Sequence, residues 1–298
     1  MALGNFDGVH LGHQEVLRRA VEEGRRRDRK VVAATFHPHP RAVLGAVDRP
    51  KLLTPLELRR EMLLRYGADE VWVITFDGAL SRKTPKQFVG DVLVGEGKAA
   101  VVVVGENFRF GYRAAGDFQD LLRFMREAGG TAVAVNVRGA GVEGEISSTR
   151  IRALLCGGEV TEAAGLLGRP YVLRGEVVVG DKRGRSIGFP TANVLPEADA
   201  VIPARGVYAG FARFGEEEYA ACTNVGVAPT FGRAESRVEA HLLDFEGDLY
   251  GRVVDVGFTK RIREERRFSG VDELTEQIQR DVAEARIVAE VLRDPRGS

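Results

Sequence analysis

Short apolar runs alternate with amphipathic helical segments as far as Val137, and from Tyr171 strands dominate. Strand and helix in repeated succession build parallel sheets with helices on both faces, whereas strands separated only by turns build antiparallel barrels or sandwiches. Val16, Leu17, Ala20 and Val21 fall at helical spacing within 13–27, and 31–36 follows as a buried strand. Thr54-Pro55-Leu56-Glu57 reads as a capping box with proline at the first helical position; this helix stops near Gly67, and 71–74 is the next strand. Thr84-Pro85-Lys86-Gln87 opens another helix before the strand 99–104, and a helix led by Asp117 precedes the strand 131–137. Short apolar strands covered on both faces predict a parallel, doubly wound α/β sheet.

After Val137 come a Gly-rich turn, a short helix over 148–155 and a linking helix over 159–167. The stretches 171–179, 206–214, 219–225, 238–245 and 252–258 are β-rich, divided by Gly, Pro and Asp turns, and predict a small closed barrel. A last amphipathic helix, 271–292, presents Leu274, Ile278, Val282 and Ala285 on one face. The 298 residues thus divide into a first domain over 1–158, a linker helix over 159–170 and a second domain over 171–298. Lys and Arg number 43 and so do Asp and Glu, a balance that gives no footprint for nucleic acid or for a membrane surface. Cys156 and Cys222 have no paired spacing, which excludes a disulfide framework and a cysteine zinc site and fits a reducing cytosol. The longest apolar run, 99–104, is too short to span a bilayer, and the N-terminus has no basic-then-apolar leader; a soluble intracellular protein is expected.

The stretch Gly4-Asn5-Phe6-Asp7-Gly8-Val9-His10-Leu11-Gly12-His13 enters the first helix through a His-x-Gly-His step. With the helix starting near His13, its unpaired N–H groups and positive dipole end face the same space as both imidazoles, and a triphosphate fits there. Gly12 keeps that space open, and Gly4 and Gly8 permit tight turns. Taken alone, the step is equally a pair of surface histidines at a helix start. A second cluster, Ile146-Ser147-Ser148-Thr149-Arg150-Ile151-Arg152, complements it. Ser148 and Thr149 open a helix and offer hydroxyl and N–H groups to phosphate oxygens, and Arg152 can neutralise a leaving pyrophosphate. By itself this cluster is a serine cap beside a surface arginine.

On these two clusters, residues 4–155 resemble the nucleotidyltransferase superfamily of HxGH enzymes, and in particular the FMN adenylyltransferase module of prokaryotic FAD synthetases, whose pattern is G-x-F-D-G-x-H-x-G-H with a later S-S-T-x-x-R. The resemblance implies a Rossmann-like fold, ATP binding by Gly4, Phe6, His10, Gly12 and His13, and catalysis by His10, His13, Ser148, Thr149 and Arg152. Thr35-Phe36-His37-Pro38-His39-Pro40 follows the second strand at its carboxyl end, where open α/β sheets bind ligands. There the resemblance makes Pro38 and Pro40 a flavin wall, and in Gly105-Glu106-Asn107-Phe108-Arg109-Phe110-Gly111 it makes Asn107 a flavin contact. His37 and His39 suggest metal ligands but lack an evident third.

Gly180-Asp181-Lys182-Arg183-Gly184-Arg185-Ser186-Ile187-Gly188-Phe189-Pro190-Thr191-Ala192-Asn193 is a glycine-rich loop without the Gly-Lys-Ser/Thr step of a Walker loop. Glycines such as Gly180 and Gly188 let backbone wrap phosphates, Lys182 and its basic neighbours balance charge, and Thr191 and Asn193 supply neutral oxygens for a phosphate-bound Mg²⁺. Composition alone also allows a generic polar hairpin. Gly-Phe-Pro-Thr-Ala-Asn, together with Asn224-Val225-Gly226-Val227-Ala228-Pro229-Thr230-Phe231-Gly232 and Val238-Glu239-Ala240-His241, is similar to the riboflavin kinase family over about 171–290. Strand alternation sets Glu239 on the face opposite Val238 and Ala240. The resemblance makes Glu239 the general base toward the ribityl 5′-hydroxyl; a surface-facing glutamate on an edge strand is the bland alternative. The charged run Lys260–Phe268 is a solvated face or, by resemblance, a lid over flavin.

In order, the modules resemble the bifunctional riboflavin kinase/FMN adenylyltransferase family. That implies a six-stranded β-barrel kinase domain with a terminal helix behind the α/β domain, riboflavin, FMN and ATP as substrates, and Mg²⁺ as cofactor. Self-association is compatible with the sequence but not predicted by it. Only Met1-Ala2-Leu3 precede Gly4, too few to fill the central first strand that the family carries. The expectation is a natural start upstream of Met1 and a weakened adenylyltransferase beside an intact kinase. Another nucleotidyl transfer, such as cytidylyl transfer, and a flavin-binding regulator with dead sites are the competing readings.

Overall fold

Five strands of the computed structural model, which describes residues 1–45, 49–136, 146–180, 184, 187–230 and 233–293, enter one sheet in the same direction. They are β1 (Ala2–Leu3), β2 (Val32–His37), β3 (Glu70–Thr75), β4 (Val101–Gly105) and β5 (Thr131–Val135), in the spatial order β3-β2-β1-β4-β5 with every neighbouring pair parallel. Helices α1 (Leu11–Arg27), α2 (Pro40–Val43), α3 (Leu56–Arg65), α4 (Pro85–Gln87) and α5 (Phe118–Glu127) supply the crossovers. Each face of the sheet has its own core. Leu3, Ala34, Val102 and Val104 pack with Phe88, Leu93, Leu121 and Met125 on one side, and Ala2, Ala33, Val101 and Val103 with Leu17, Ala20 and Leu63 on the other. Consecutive residues of one strand thus feed opposite cores, which is why these strands are apolar throughout.

The three residues before Gly4 do take the central place, against the expectation that they were too few. Ala2 and Leu3 pair with Ala33 and Ala34, and Ala2 also pairs with Val103. The ladder continues past the strand on both sides, with Gly4 N–H donating to Ala34 O (3.2 Å) and Val103 N–H donating to Met1 O (2.8 Å). Two residues suffice because both neighbours supply bonds and both side chains are fully buried.

Local signals set most helix starts. Thr84 and Gln87 form the reciprocal capping box, after which the helix runs on through 88–96 with π spacing; Asp117 and Asp120 form another at α5. The box expected at Thr54 is not formed. Pro55 stands at the cap of α3 without a side-chain bond, because the Thr54 hydroxyl is engaged by the Gly8 N–H. α1 starts at Leu11, two residues earlier than expected, because His10 caps it.

The chain divides into two compact units, Met1–Ser148 and Thr149–Ser298. In the second, α6 (Ser148–Gly157) and α7 (Val160–Leu167) lead into a closed antiparallel barrel ordered β10-β7-β6-β11-β8-β9. Leu155 O accepts the Ala204 N–H (2.9 Å), and the Thr161 hydroxyl donates to Thr259 O (3.1 Å). The strands are β6 (Tyr171–Val178), β7 (Ala192–Pro196), β8 (Gly206–Phe214), β9 (Glu217–Thr230), β10 (Arg233–Leu242) and β11 (Val253–Arg263). β7 begins at the end of the glycine-rich segment, where five residues closed by Pro196 are too few for periodicity to register a strand. Val177, Val194, Val238 and Val225 pair in sequence around the wall and all four point into the buried interior. The last helix, α8 (Val271–Arg293), lays Val282, Ala285 and Val288 against Val207, Ala209, Cys222 and Leu243.

Candidate active sites

Strand order reverses between β1 and β4, and the carboxyl ends of strands at such a switch point are where open α/β sheets bind ligands. The β1 loop there takes a conformation ordinary sequences avoid: Phe6, Gly8 and Val9 have φ of 50°, 90° and 41°. For valine, branched at Cβ, positive φ is an outlier of about 1–3 kcal/mol that surrounding structure must hold. The holding is visible. Arg59 of α3, only 1% exposed, donates to Asn5 O (3.0 Å), Thr54 O (3.2 Å), Phe36 O (3.3 Å) and the Thr35 hydroxyl (3.2 Å). Thr54 N–H donates to an Asp7 carboxylate oxygen (3.0 Å) while its hydroxyl accepts the Gly8 N–H (2.8 Å). The Ser148 hydroxyl donates to Asp7 O (2.8 Å), so the second sequence cluster is tied directly to the first.

This scaffold brings the histidines together. His10 Nδ1 accepts the His13 N–H (3.3 Å), so Nε2 is the ring nitrogen that carries the proton of neutral His10. The two rings stack with centroids 3.6 Å apart, and Phe6 meets His13 edge-on at 5.3 Å. A side chain on Gly4 would meet the Phe6 ring at 3.4 Å, and Gly12 is buried one residue before His13. Gly4, Phe6, His10, Gly12 and His13 therefore form one surface beside the positive end of α1. Ser148 opens α6, with Thr149 and Arg152 in its first turns.

Pro38 and Pro40 follow β2 across a cis His37–Pro38 bond, and Asn107 is exposed just past β4. His39 caps α2 through its Nδ1. A chain of aromatic rings runs between the two strand ends: Phe76 to Phe36 (5.9 Å), Phe36 to Phe88 (6.3 Å), Phe88 to Phe110 (5.7 Å) and Phe110 to Phe108 (5.8 Å). Phe36, Phe88 and Phe110 are buried in the core, and Phe76 and Phe108, at the two ends of the row, are partly buried.

In the second unit the site stands on the outer face of the barrel. Val238 and Ala240 are buried and Glu239 faces the other way, as alternation requires. In register, Glu239 lies opposite Asn193 of β7 on one side and Asn224 of β9 on the other. Arg237, two residues before Glu239, places Nη2 2.9 Å from its carboxylate and donates from Nε (3.0 Å) and Nη2 (2.8 Å) to Asn193 Oδ1. His241 continues the row, its Nδ1 2.7 Å from Pro190 O and its ring edge-on to Phe189 at 5.6 Å. His241 thus ties Phe189 and Pro190, just before β7, to β10. A Cβ on Gly180 would stand 2.2 Å from Asn193 Nδ2, so only glycine lets backbone come this close. Gly188 lies at the following turn with φ of 88°; Lys182 lies outside the described residues. Thr191, Asn193, Ala240, Leu242, Phe245 and Tyr250 line a cavity of about 510 Å³.

Arg59 and Arg237 were not singled out from sequence, and Thr54 was read only as a helix cap. Arg59 falls four residues before buried Leu63, at a position where an amphipathic helix faces its core, and a charge on that face was the available signal. Arg237 gives no such signal, since its contact with Asn193 depends on another strand.

The FAD synthetase family model matches residues 1–150 and the riboflavin kinase model residues 167–289. The bifunctional riboflavin kinase/FMN adenylyltransferase of Bacillus subtilis (strain 168) is 38% identical over 289 residues, spanning 96% of this chain and 90% of that one. The protein of the same name from Escherichia coli (strain K12) is 39% identical over 287 residues, spanning 96% and 91%. A crystal structure titled macrolide-efflux protein, from Streptococcus pneumoniae, superposes with a TM-score of 0.87 at 33% identity and covers 96% of this chain and 93% of that one. Among the described residues no helix is long and apolar enough to cross a membrane. With both family models matched in order and near full-length relatives of both activities, the chain belongs to the bifunctional riboflavin kinase/FMN adenylyltransferase family.

Proposed function

We propose that the barrel phosphorylates riboflavin to FMN and that the α/β unit adenylylates FMN to FAD, both with ATP. The observation that carries the first step is the row Asn193–Glu239–Asn224 beside Thr191 and its cavity. Glu239 takes the proton of the ribityl 5′-hydroxyl as that oxygen attacks the γ-phosphorus of ATP and ADP departs. Thr191 and Asn193 offer neutral oxygens and fit a hard divalent cation already carrying phosphate ligands; Mg²⁺ bound there would neutralise charge on the transferred phosphoryl group. The cavity beyond Thr191 and Asn193 is assigned to the nucleotide, and Gly180, Lys182 and Gly188 are assigned to its phosphates.

In the α/β unit an FMN phosphate oxygen attacks the α-phosphorus of ATP and pyrophosphate leaves. The His10 Nε2–H, His13 and the start of α1 face the polyphosphate, with Gly4, Phe6 and Gly12 shaping its seat. Ser148, Thr149 and Arg152 are assigned to the same negative charge. Pro38, Pro40 and Asn107, just past the carboxyl ends of β2 and β4, are assigned to the flavin ring. A cytoplasmic location is assigned on the two cysteines without paired spacing, which fit a reducing compartment.

Chromatography of flavins after incubation with riboflavin, ATP and Mg²⁺, beside a parallel reaction started from FMN, tests both steps. FMN and FAD from the first and FAD from the second are expected; no product from either flavin would sink the reading.

A further inference from the structure

Arg237 is in contact with both oxygens assigned to the kinase reaction, the Glu239 carboxylate and the Asn193 amide oxygen. Strand geometry makes the first contact, since Arg237 and Glu239 are two residues apart on one face of β10. Register makes the second, because Asn193 stands directly across from Glu239. Two guanidinium N–H groups converge on Asn193 Oδ1, so both lone pairs of that oxygen are in use. A divalent cation cannot share an oxygen that faces a guanidinium, because the two positive charges repel and the lone pairs are taken.

We infer that Arg237 is a positioning residue that holds Asn193 Oδ1 and has to surrender it for the cation of a metal-bound nucleotide to bind there. Its side chain is 24% exposed, enough to move. Its neighbour in register on β9 is Gly226, which has no side chain to hold the guanidinium in place. The bond to Glu239 is a separate contact, so the guanidinium can leave Asn193 without losing its anionic partner.

The inference rests on the assignment of Asn193 to the cation, and calorimetric binding to the full chain separates the two. The probes are ADP with excess Mg²⁺ and ADP in a chelator, neither of which turns over. For Arg237→Ser the affinity for Mg·ADP should rise by roughly tenfold, the equivalent of one charge-assisted hydrogen bond no longer displaced. Metal-free ADP should bind with less than about a twofold change, since no cation then competes for Asn193. Arg237→Lys, whose ammonium can satisfy only one of the two oxygens at a time, should fall between, and it guards against a folding defect in the serine variant. Asn193→Ala should lose most of the gain that Mg²⁺ confers. If Asn193→Ala loses that gain while Arg237→Ser binds Mg·ADP no better than the parent, or shifts both nucleotide forms equally, Arg237 does not withhold Asn193 from the cation. If Asn193→Ala keeps the full gain, the metal assignment falls and the inference with it.

Discussion

The two sites of this chain are built in opposite ways. In the α/β unit the reactive residues lie on a loop forced through positive φ at Phe6, Gly8 and Val9 and held by a buried arginine. In the barrel they stand on regular strands in unstrained register, and the charged partner Arg237 belongs to the site itself. The first is a strained loop whose geometry depends on distant support; the second is a flat face whose geometry follows from pairing. A defect in support should therefore disable the first, and a defect in local packing the second.

The sharpest test of that separation removes one reactive group at a time. Glu239→Gln should lower conversion of riboflavin to FMN by about 10²–10⁴-fold while FMN to FAD proceeds unchanged. His10→Ala should do the reverse, with a loss of about 10²–10³-fold confined to FAD formation. Initial rates from riboflavin and from FMN decide it; a variant that lost both activities would break the comparison.

Next in size is support at a distance. Arg59→Met removes donors from Asn5, Thr54 and Phe36 carbonyls in a buried setting, and should destabilise the first unit by about 3 kcal/mol. Calorimetry should show one transition moving down while the transition of the barrel stays, with FAD formation lost and kinase activity kept. A uniform shift of both transitions would mean that Arg59 does not act through the loop.

Local packing comes third. Gly180→Ala would put a methyl carbon 2.2 Å from the Asn193 amide, pushing either the loop or Asn193 aside. The KM for ATP in the kinase reaction should rise roughly tenfold, the equivalent of about 1.4 kcal/mol of lost binding, with FAD formation unaffected. An unchanged KM would show that Asn193 is free to shift without cost.

This contrast also governs how much was legible in the sequence. The doubly wound sheet and the capping boxes at Thr84 and Asp117 follow from periodicity and local chemistry, and the His10–His13 step is contiguous, so its placement at a helix start could be read directly. What escaped depends on distance. Thr54 has the form of a cap, yet its hydroxyl serves Gly8, forty-six residues away in sequence, because tertiary contact outbids a local bond. The short β1 was judged too small from its own length; its partners Ala33, Ala34 and Val103 decide otherwise. In the barrel, Glu239 could be set on a face by alternation, but that Asn193, Arg237 and Glu239 touch depends on register between β7 and β10, which no local pattern encodes.

The smallest effect concerns the surface of the first unit and sets a floor for the comparison. Glu23 of α1 has a side chain only 4% exposed, ringed by Arg19, Arg26 and Arg27, themselves largely in solvent. The hydrogen bond from Arg26, opposed by burial and aided by Arg27, holds its carboxyl below the usual carboxylate range. Because the folded value is depressed, the carboxylate stabilises the fold above the ordinary glutamate range, and that contribution is lost as pH falls through the folded value. With exposed guanidinium partners its size is at most about 1 kcal/mol. Glu23→Gln should lower the first transition slightly at neutral pH and flatten its fall in acid, leaving the barrel transition where it was. A variant that matched the parent at neutral pH but fell just as steeply in acid would assign the acid sensitivity of this unit to other carboxylates, and would leave Arg59 and Thr54 as the contacts that distinguish its stability from that of the barrel.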